Sequence, residues 1–167
     1  MRECTLVFPK RGGEVLLGMK KRGFGADKWN GFGGKVEARS RIGEKLIRET
    51  AIRELEEECG LTADIKSLVK SAVLDFSFPE KPDWNQRVHV YLLYDWRGFP
   101  IESEEMLPDW FLEDSIPYDK LWVDDRYWLP LVLQGEFVEA SFTFAKLGKE
   151  IASFEFKSPK GIKSLVH

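Results

Sequence analysis

The chain has 167 residues, 43% of them hydrophobic and 32% charged, with a formal net charge of −3. These proportions fit one globular domain spanning residues 1–167 with a sizeable core, and the small net charge argues against a broad surface for nucleic acid or anionic membrane. Cys4 and Cys59 are the only cysteines, which argues against a disulfide scaffold or a zinc–thiolate site and suits a reducing compartment. No apolar run approaches the roughly 18 residues of a membrane span, and Met1-Arg2-Glu3-Cys4 offers no apolar stretch suited to a signal peptide. A cytoplasmic protein is expected, with Lys20-Lys21-Arg22 as one local basic patch.

In chain order, Thr5-Leu6-Val7-Phe8 and Val15-Leu16-Leu17-Gly18-Met19 read as strands joined by a hairpin turn at Lys10-Arg11-Gly12-Gly13. Lys21 to Lys28 reads as a loop, and Trp29-Asn30-Gly31-Phe32-Gly33-Gly34 starts as a short strand whose glycines allow close backbone approach. Ile47, Ala51, Leu55 and Cys59 recur at i+4 steps, the buried stripe of a helix that Gly60 stops. Ser67 to Phe78 and Arg87 to Trp96 read as paired strands around a turn at Pro79 to Asn85, with His89 a structural residue. Pro100 to Pro108 is a loop carrying Glu102, Glu104 and Glu105, and it leads through Trp110-Phe111-Leu112 to Ile116-Pro117. Asp124 or Asp125 suits the cap of a second helix through Tyr127, Trp128, Leu131, Val132 and Leu133, with Pro130 tolerated in a first turn or at a kink. Phe137 to Phe144 and Ile151 to Phe156 form a closing hairpin around Lys146-Leu147-Gly148-Lys149, and the last ten residues are a short strand or a loose tail. No βαβ rhythm repeats, so an α+β fold is expected, a mixed sheet with helices packed on it.

The chemistry concentrates in Arg53-Glu54-Leu55-Glu56-Glu57-Glu58-Cys59-Gly60-Leu61. On a helix Glu54, Glu57 and Glu58 stand at i, i+3 and i+4 on one face. Like charges at this spacing destabilise a helix by roughly 0.2–0.5 kcal/mol per pair. The plain reading is a solvated acidic face; the sharper one is a site for a hard divalent cation, which would offset the repulsion.

Together with Gly31-Phe32-Gly33-Gly34-Lys35-Val36, this run resembles the Nudix box, the signature of hydrolases acting on nucleoside diphosphates linked to another group. The second half matches at every fixed position. The first half departs from it. Gly34 and Arg53 lie 19 positions apart where the pattern has 14, about five residues more, most of them in Ala38-Arg39-Ser40-Arg41-Ile42. The box glutamate therefore falls on Ser40 counted from one side and on Lys45 from the other. In the family that glutamate mainly braces the box arginine; here the candidates are Glu44, or Glu49 at i, i+4 from Arg53. Arg39 and Arg41 are read as solvated charges, with phosphate contact as the alternative.

The likeness continues in Gly18-Met19-Lys20-Lys21-Arg22-Gly23-Phe24-Gly25, in Glu102-Ser103-Glu104-Glu105-Met106 and in Trp122-Val123-Asp124-Asp125-Arg126-Tyr127-Trp128. These resemble the animal-type branch of the family, which hydrolyses oxidised purine nucleoside triphosphates. The resemblance implies the Nudix fold, an α/β/α sandwich with a curved mixed β-sheet. It implies Mg²⁺ (or Mn²⁺) held by Glu54, Glu57, Glu58, Glu105 and the Gly33 carbonyl, with those four glutamates catalytic. It implies a base pocket of Thr5, Asn30, Trp122, Asp124 and Asp125, lined by Lys20, Phe24, Phe76, Phe78 and Met106. Two adjacent aspartates beside one base resist both ionising, which leaves one as a proton donor. Expected, then, is a monomer that cleaves 8-oxo-dGTP and 2-hydroxy-dATP to monophosphate and pyrophosphate, with no nucleic-acid polymer or membrane as partner. The alternatives are a methylated purine triphosphate, a dinucleoside polyphosphate or a nucleotide sugar as substrate, and a binding domain without catalysis.

Overall fold

A computed structural model describes residues 1–37, 41–158 and 161–166. Its strands are β1 (Arg2–Arg11), β2 (Glu14–Lys20), β3 (Trp29–Asn30), β4 (Leu68–Ser77), β5 (Gln86–Leu93), β6 (Met106–Leu112), β7 (Val138–Ala145), β8 (Glu150–Ser158) and β9 (Gly161–Val166); its helices are α1 (Glu44–Cys59) and α2 (Asp125–Leu133). The strands run in the order β3-β2-β1-β5-β4-β7-β8-β9, with β6 on β2. β1 and β5 pair in parallel, as do β4 and β7, and the remaining pairs are antiparallel. The sheet is therefore mixed, as expected.

Each helix covers its own apolar cluster. α1 buries Ile47, Ala51, Leu55 and Cys59, the anticipated stripe, with Phe32, Leu61, Tyr91 and Leu93. α2 buries Trp128, Leu129, Val132 and Leu133 in a second cluster with Leu74, Val90, Phe142 and Phe154. The sheet separates two helices and two cores, which is the expected layering. Gly60 ends α1 in the left-handed conformation at φ 80°, where a side chain would be strained.

Three sequence expectations change. β6 begins inside the stretch read as a loop and pairs with β2 from Met106↔Lys20 to Leu112↔Glu14; its Pro108 and sparse alternation hide it from pattern reading. β5 ends at Leu93, short of Trp96, and Arg97 instead bridges Thr62. Asp124 precedes α2 but makes no side-chain cap bond. Of the terminal alternatives, the strand forms as β9. The inserted stretch begins at residues 38–40, so Arg39 lies outside the described residues, and Arg41 is exposed.

The box arginine is braced differently as well. Arg53 pairs with Glu54 at 3.1 Å and Glu57 at 3.3 Å, and among the described residues neither Glu44 nor Glu49 reaches it. Glu44 instead starts α1 and accepts hydrogen bonds from Arg48 Nε at 2.9 Å, from the Tyr91 hydroxyl at 2.7 Å and from Lys70 Nζ. Burial pushes its carboxyl up, but these donors outweigh burial and hold it below the ordinary range. Glu44 thus ties the first turn of α1 to β4 and β5.

Candidate active site

A cavity of about 310 Å³ opens between the β1–β5–β4 face, the Lys20–Gly34 segment and the start of α2, within the range of small-molecule sites. All ten expected substrate residues line it: Thr5, Lys20, Phe24, Asn30, Phe76, Phe78, Met106, Trp122, Asp124 and Asp125. Gly33 and Glu58 line it too, whereas Glu54, Glu57 and Glu105 lie outside its wall.

At one end stand the carboxylates. Gly33 N–H donates to Glu58 Oε1 at 2.8 Å, which ties α1 to the segment after β3. Gly33 and Gly34 both sit against close neighbours there. A Cβ on Gly33 would meet the Thr5 carbonyl oxygen at 1.8 Å, and one on Gly34 would meet the Glu54 carboxyl at 2.5 Å. Burial pushes Glu58 up to about 8; the Gly33 N–H and Lys20 oppose the shift, while Glu54 and Glu105 add to it. Glu54 is raised by burial and by Glu57 and Glu105, against the pull of Arg53. Glu57 points outward to Arg53. Glu105 pairs with Arg22 at 3.0 Å, and Ser103 on the same loop donates to the Glu58 carbonyl at 2.7 Å. Among the described residues no three acids form a ready-made cation site. The donor set nonetheless fits a hard divalent ion, since these are carboxylate oxygens close enough that their charges raise Glu54 and Glu58.

At the other end lies a polar edge among aromatics. Asp124 and Asp125 are each only 2% exposed. Trp128 Nε1 donates to Asp124 Oδ2 at 2.8 Å, one helical turn on, so Asp124 is anchored by an indole rather than by the helix backbone. Asp125 Oδ2 is buried without a partner. Burial raises both acids, and the neighbouring Asp124 raises Asp125 further, so the pair resists ionising twice and holds a proton between its carboxyls. Asn30 accepts from Gly31 N–H at 2.8 Å through Oδ1, which leaves its NH₂ to the cavity. The Thr5 hydroxyl lies 3.3 Å from both the N–H and the C=O of Gly34, so its first role is to hold that segment on β1.

The aromatic wall holds residues that sequence reading passed over. Phe24 lies between Trp122, at 5.1 Å between centroids, and Trp84, at 4.4 Å. Phe78 stacks on Phe144 at 4.8 Å and 10°. Trp122 is wedged between Gly25 and Gly148, where added Cβ atoms would meet its ring at 3.1 and 3.2 Å. Arg2, Lys28, Lys35, Gln86 and Trp128 also reach the cavity wall. The Asp124–Trp128 spacing of one turn was a usable signal; the parallel β1–β5 pairing that brings in Arg2 and Gln86 was not.

Comparison with known proteins adds to this geometry. The NUDIX domain profile matches residues 3–132. A zebrafish (Danio rerio) protein named oxidized purine nucleoside triphosphate hydrolase is 47% identical over 140 residues, 84% of this chain and 85% of its own. A mouse (Mus musculus) protein of the same name is 48% identical over 143 residues, 86% of each. Among solved structures, the mutator MutT protein of Bacillus halodurans superposes with a TM-score of 0.77 at 21% identity, covering 93% of this chain and 97% of that one, a likeness of fold.

Proposed function

The chain belongs to the NUDIX domain family, and from that membership we propose that it hydrolyses oxidised purine nucleoside triphosphates, 8-oxo-dGTP and 2-hydroxy-dATP among them, to the monophosphate and pyrophosphate. The observation that carries this reading is a single cavity whose wall holds Glu58 at one end and the buried Asp124/Asp125 pair at the other. Four cations, Arg2, Lys20, Lys28 and Lys35, share the wall with those three acids. Because Glu58 and Asp125 hold protons readily, the balance favours a polyanion.

In this reading Trp122 and Phe24 receive the flat face of the base, and Asn30, Asp124 and Asp125 read its edge. Protonated Asp125 donates while ionised Asp124 accepts. A pair that can redistribute its proton accommodates more than one oxidised purine. Nudix hydrolases generally use divalent metal ions, and we assign Mg²⁺, with Mn²⁺ as substitute, to Glu54, Glu57, Glu58, Glu105 and the Gly33 carbonyl. Such an ion, once bound, neutralises phosphate charge and acidifies the attacking water. Holding it requires Glu57 to turn from Arg53 and Glu105 from Arg22. Glu58 lines the cavity where the others do not, so acceptance of the water's proton is assigned to it. The same reading has residues 1–167 act as one domain, a monomer working on free nucleotides in the cytoplasm; no helix among the described residues is long and apolar enough to cross a membrane.

The test is pyrophosphate release with Mg²⁺ from 8-oxo-dGTP, 2-hydroxy-dATP, N6-methyl-dATP and the four normal dNTPs in parallel. Preference for the oxidised purines is expected. Equal turnover of all, or of none, would remove the pocket assignment and redirect attention to dinucleoside polyphosphates and nucleotide sugars.

A further inference from the structure

We propose that Arg2 is a further substrate-binding residue, one that takes an oxygen of the nucleotide's phosphate chain at the rim of the cavity; this rests on the nucleotide reading above. Arg2, Cys4 and Leu6 alternate along β1, and all three line the cavity, as residues on one face of a strand do. The Cα partner of Arg2 on β5 is Gln86, and that of Gln86 on β4 is Phe76, so the three form a row across three strands at one level. The Arg2 backbone is fixed in that row by its N–H, which donates to the Asn85 carbonyl at 3.1 Å. On the other side of β1, Cys4 pairs with Lys35 across an isolated bridge. Arg2 and Lys35 are therefore diagonal neighbours on one face, a separation of roughly 7–8 Å, and both charges act on the Cys4 thiol.

What sets Arg2 apart among the described arginines is a buried nitrogen without a partner. Arg22, Arg48, Arg53, Arg87 and Arg97 each reach a carboxylate. Among the described residues none pairs with Arg2, and its Nε is buried with no hydrogen bond. A guanidinium cannot escape that cost by losing a proton, so the cavity lacks an acceptor for its Nε–H. Two components of a nucleotide could supply one, the base and the phosphates. The base edge already has its readers at Asn30, Asp124 and Asp125. Lys35, by contrast, directly follows the Gly33–Gly34 segment that carries the Glu58 contact, and a guanidinium beside an ammonium suits a phosphate oxygen. Gln86 commits one of the two N–H donors on its Nε2 to the Trp84 carbonyl at 3.1 Å.

Calorimetric titration in EDTA separates the components, using 8-oxo-deoxyguanosine, its 5′-monophosphate and its 5′-triphosphate against wild type, Arg2→Gln and Arg2→Lys. Arg2→Gln is expected to weaken both phosphorylated ligands roughly 10- to 100-fold, the worth of a charge-assisted hydrogen bond, and to leave the nucleoside unchanged. Arg2→Lys, which keeps the charge without the fork, is expected to fall between. Equal weakening of all three ligands, or of none, overturns the assignment. Wild-type protein that binds none of the three overturns the nucleotide reading and this inference with it.

Discussion

Glu58 shows how one residue is specified by its surroundings rather than by its type. Its carboxyl is held by a backbone N–H, shadowed by two other acids and buried enough to titrate near 8. In its proposed role as base, such a group gains a usable charge when cations gather around it. Glu58→Gln keeps the shape and removes the proton acceptor. It is expected to lower kcat by roughly 10²- to 10⁴-fold while the melting temperature of the metal-free protein holds or rises, because a desolvated acid is gone. Turnover at the wild-type rate would remove Glu58 from the chemistry, and a collapsed melting curve would make its role structural. The glutamate spacing was legible because a helix period is local. Arg2 was not legible, because its environment comes from β5 and β4, with Gln86 and Phe76 respectively 84 and 74 positions away. The partner of Asp124 was legible in its one-turn spacing to Trp128, but the proximity of two aspartates to a helix start suggested a cap first; the indole wins the oxygen instead.

At the scale of elements, the site depends on how closely the segment after β3 can approach β1 and α1. The run of glycines signalled a close approach, and the structure distinguishes two kinds. Gly33 faces backbone: its missing Cβ would lie 1.8 Å from the Thr5 carbonyl oxygen, and neither strand can move without breaking Thr5 N–H to Gly34 O at 2.9 Å and Val7 N–H to Phe32 O at 2.6 Å. Gly34 faces the flexible end of Glu54. Gly33→Ala is therefore expected to destabilise by about 1–3 kcal/mol or more, as overpacking against rigid atoms does, visible as a fall in the denaturation midpoint. Gly34→Ala is expected to leave that midpoint nearly in place and to impair turnover by displacing the Glu54 carboxyl. If both variants lose stability equally, the distinction between backbone and side-chain contact fails. α1, β4, β5 and the β7–β8 hairpin were readable because their pairing or periodicity is local. β6 and the parallel β1–β5 and β4–β7 pairs are long-range, and nothing in their own patterns names a partner. The brace expected from Glu44 failed for a related reason: the acid at the helix start is claimed by Lys70 and Tyr91 on neighbouring strands before Arg53 can reach it.

For the molecule as a whole, the buried aspartate pair should govern how stability responds to pH. Asp125 is surrounded by Asp124 on its own segment, by Lys28 from the loop before β3 and by the Tyr118 hydroxyl from the turn before α2. Burial and the Asp124 charge outweigh Lys28, so its folded pKa stands well above that of the unfolded chain. A group shifted in this direction contributes stability that is full below the unfolded value, near 3.9 for an aspartate, and that is lost as pH rises toward the folded value. Between those limits the folded state holds a proton the unfolded state has released, and each pH unit costs about 1.4 kcal/mol. Asp125→Asn keeps a donor for Asp124 and has no proton to lose. The difference in unfolding free energy between the variant and wild type is therefore expected to widen in the variant's favour from pH 5 to pH 8, measured by urea denaturation in EDTA at each pH. The glutamates titrate in both proteins and cancel from that difference. A gap that stays constant across the range would mean that Asp125 ionises in the folded protein as it does in the unfolded chain. The donor–acceptor pair assigned to the base edge would then be two acceptors, and the pocket would lose its means of reading more than one oxidised purine.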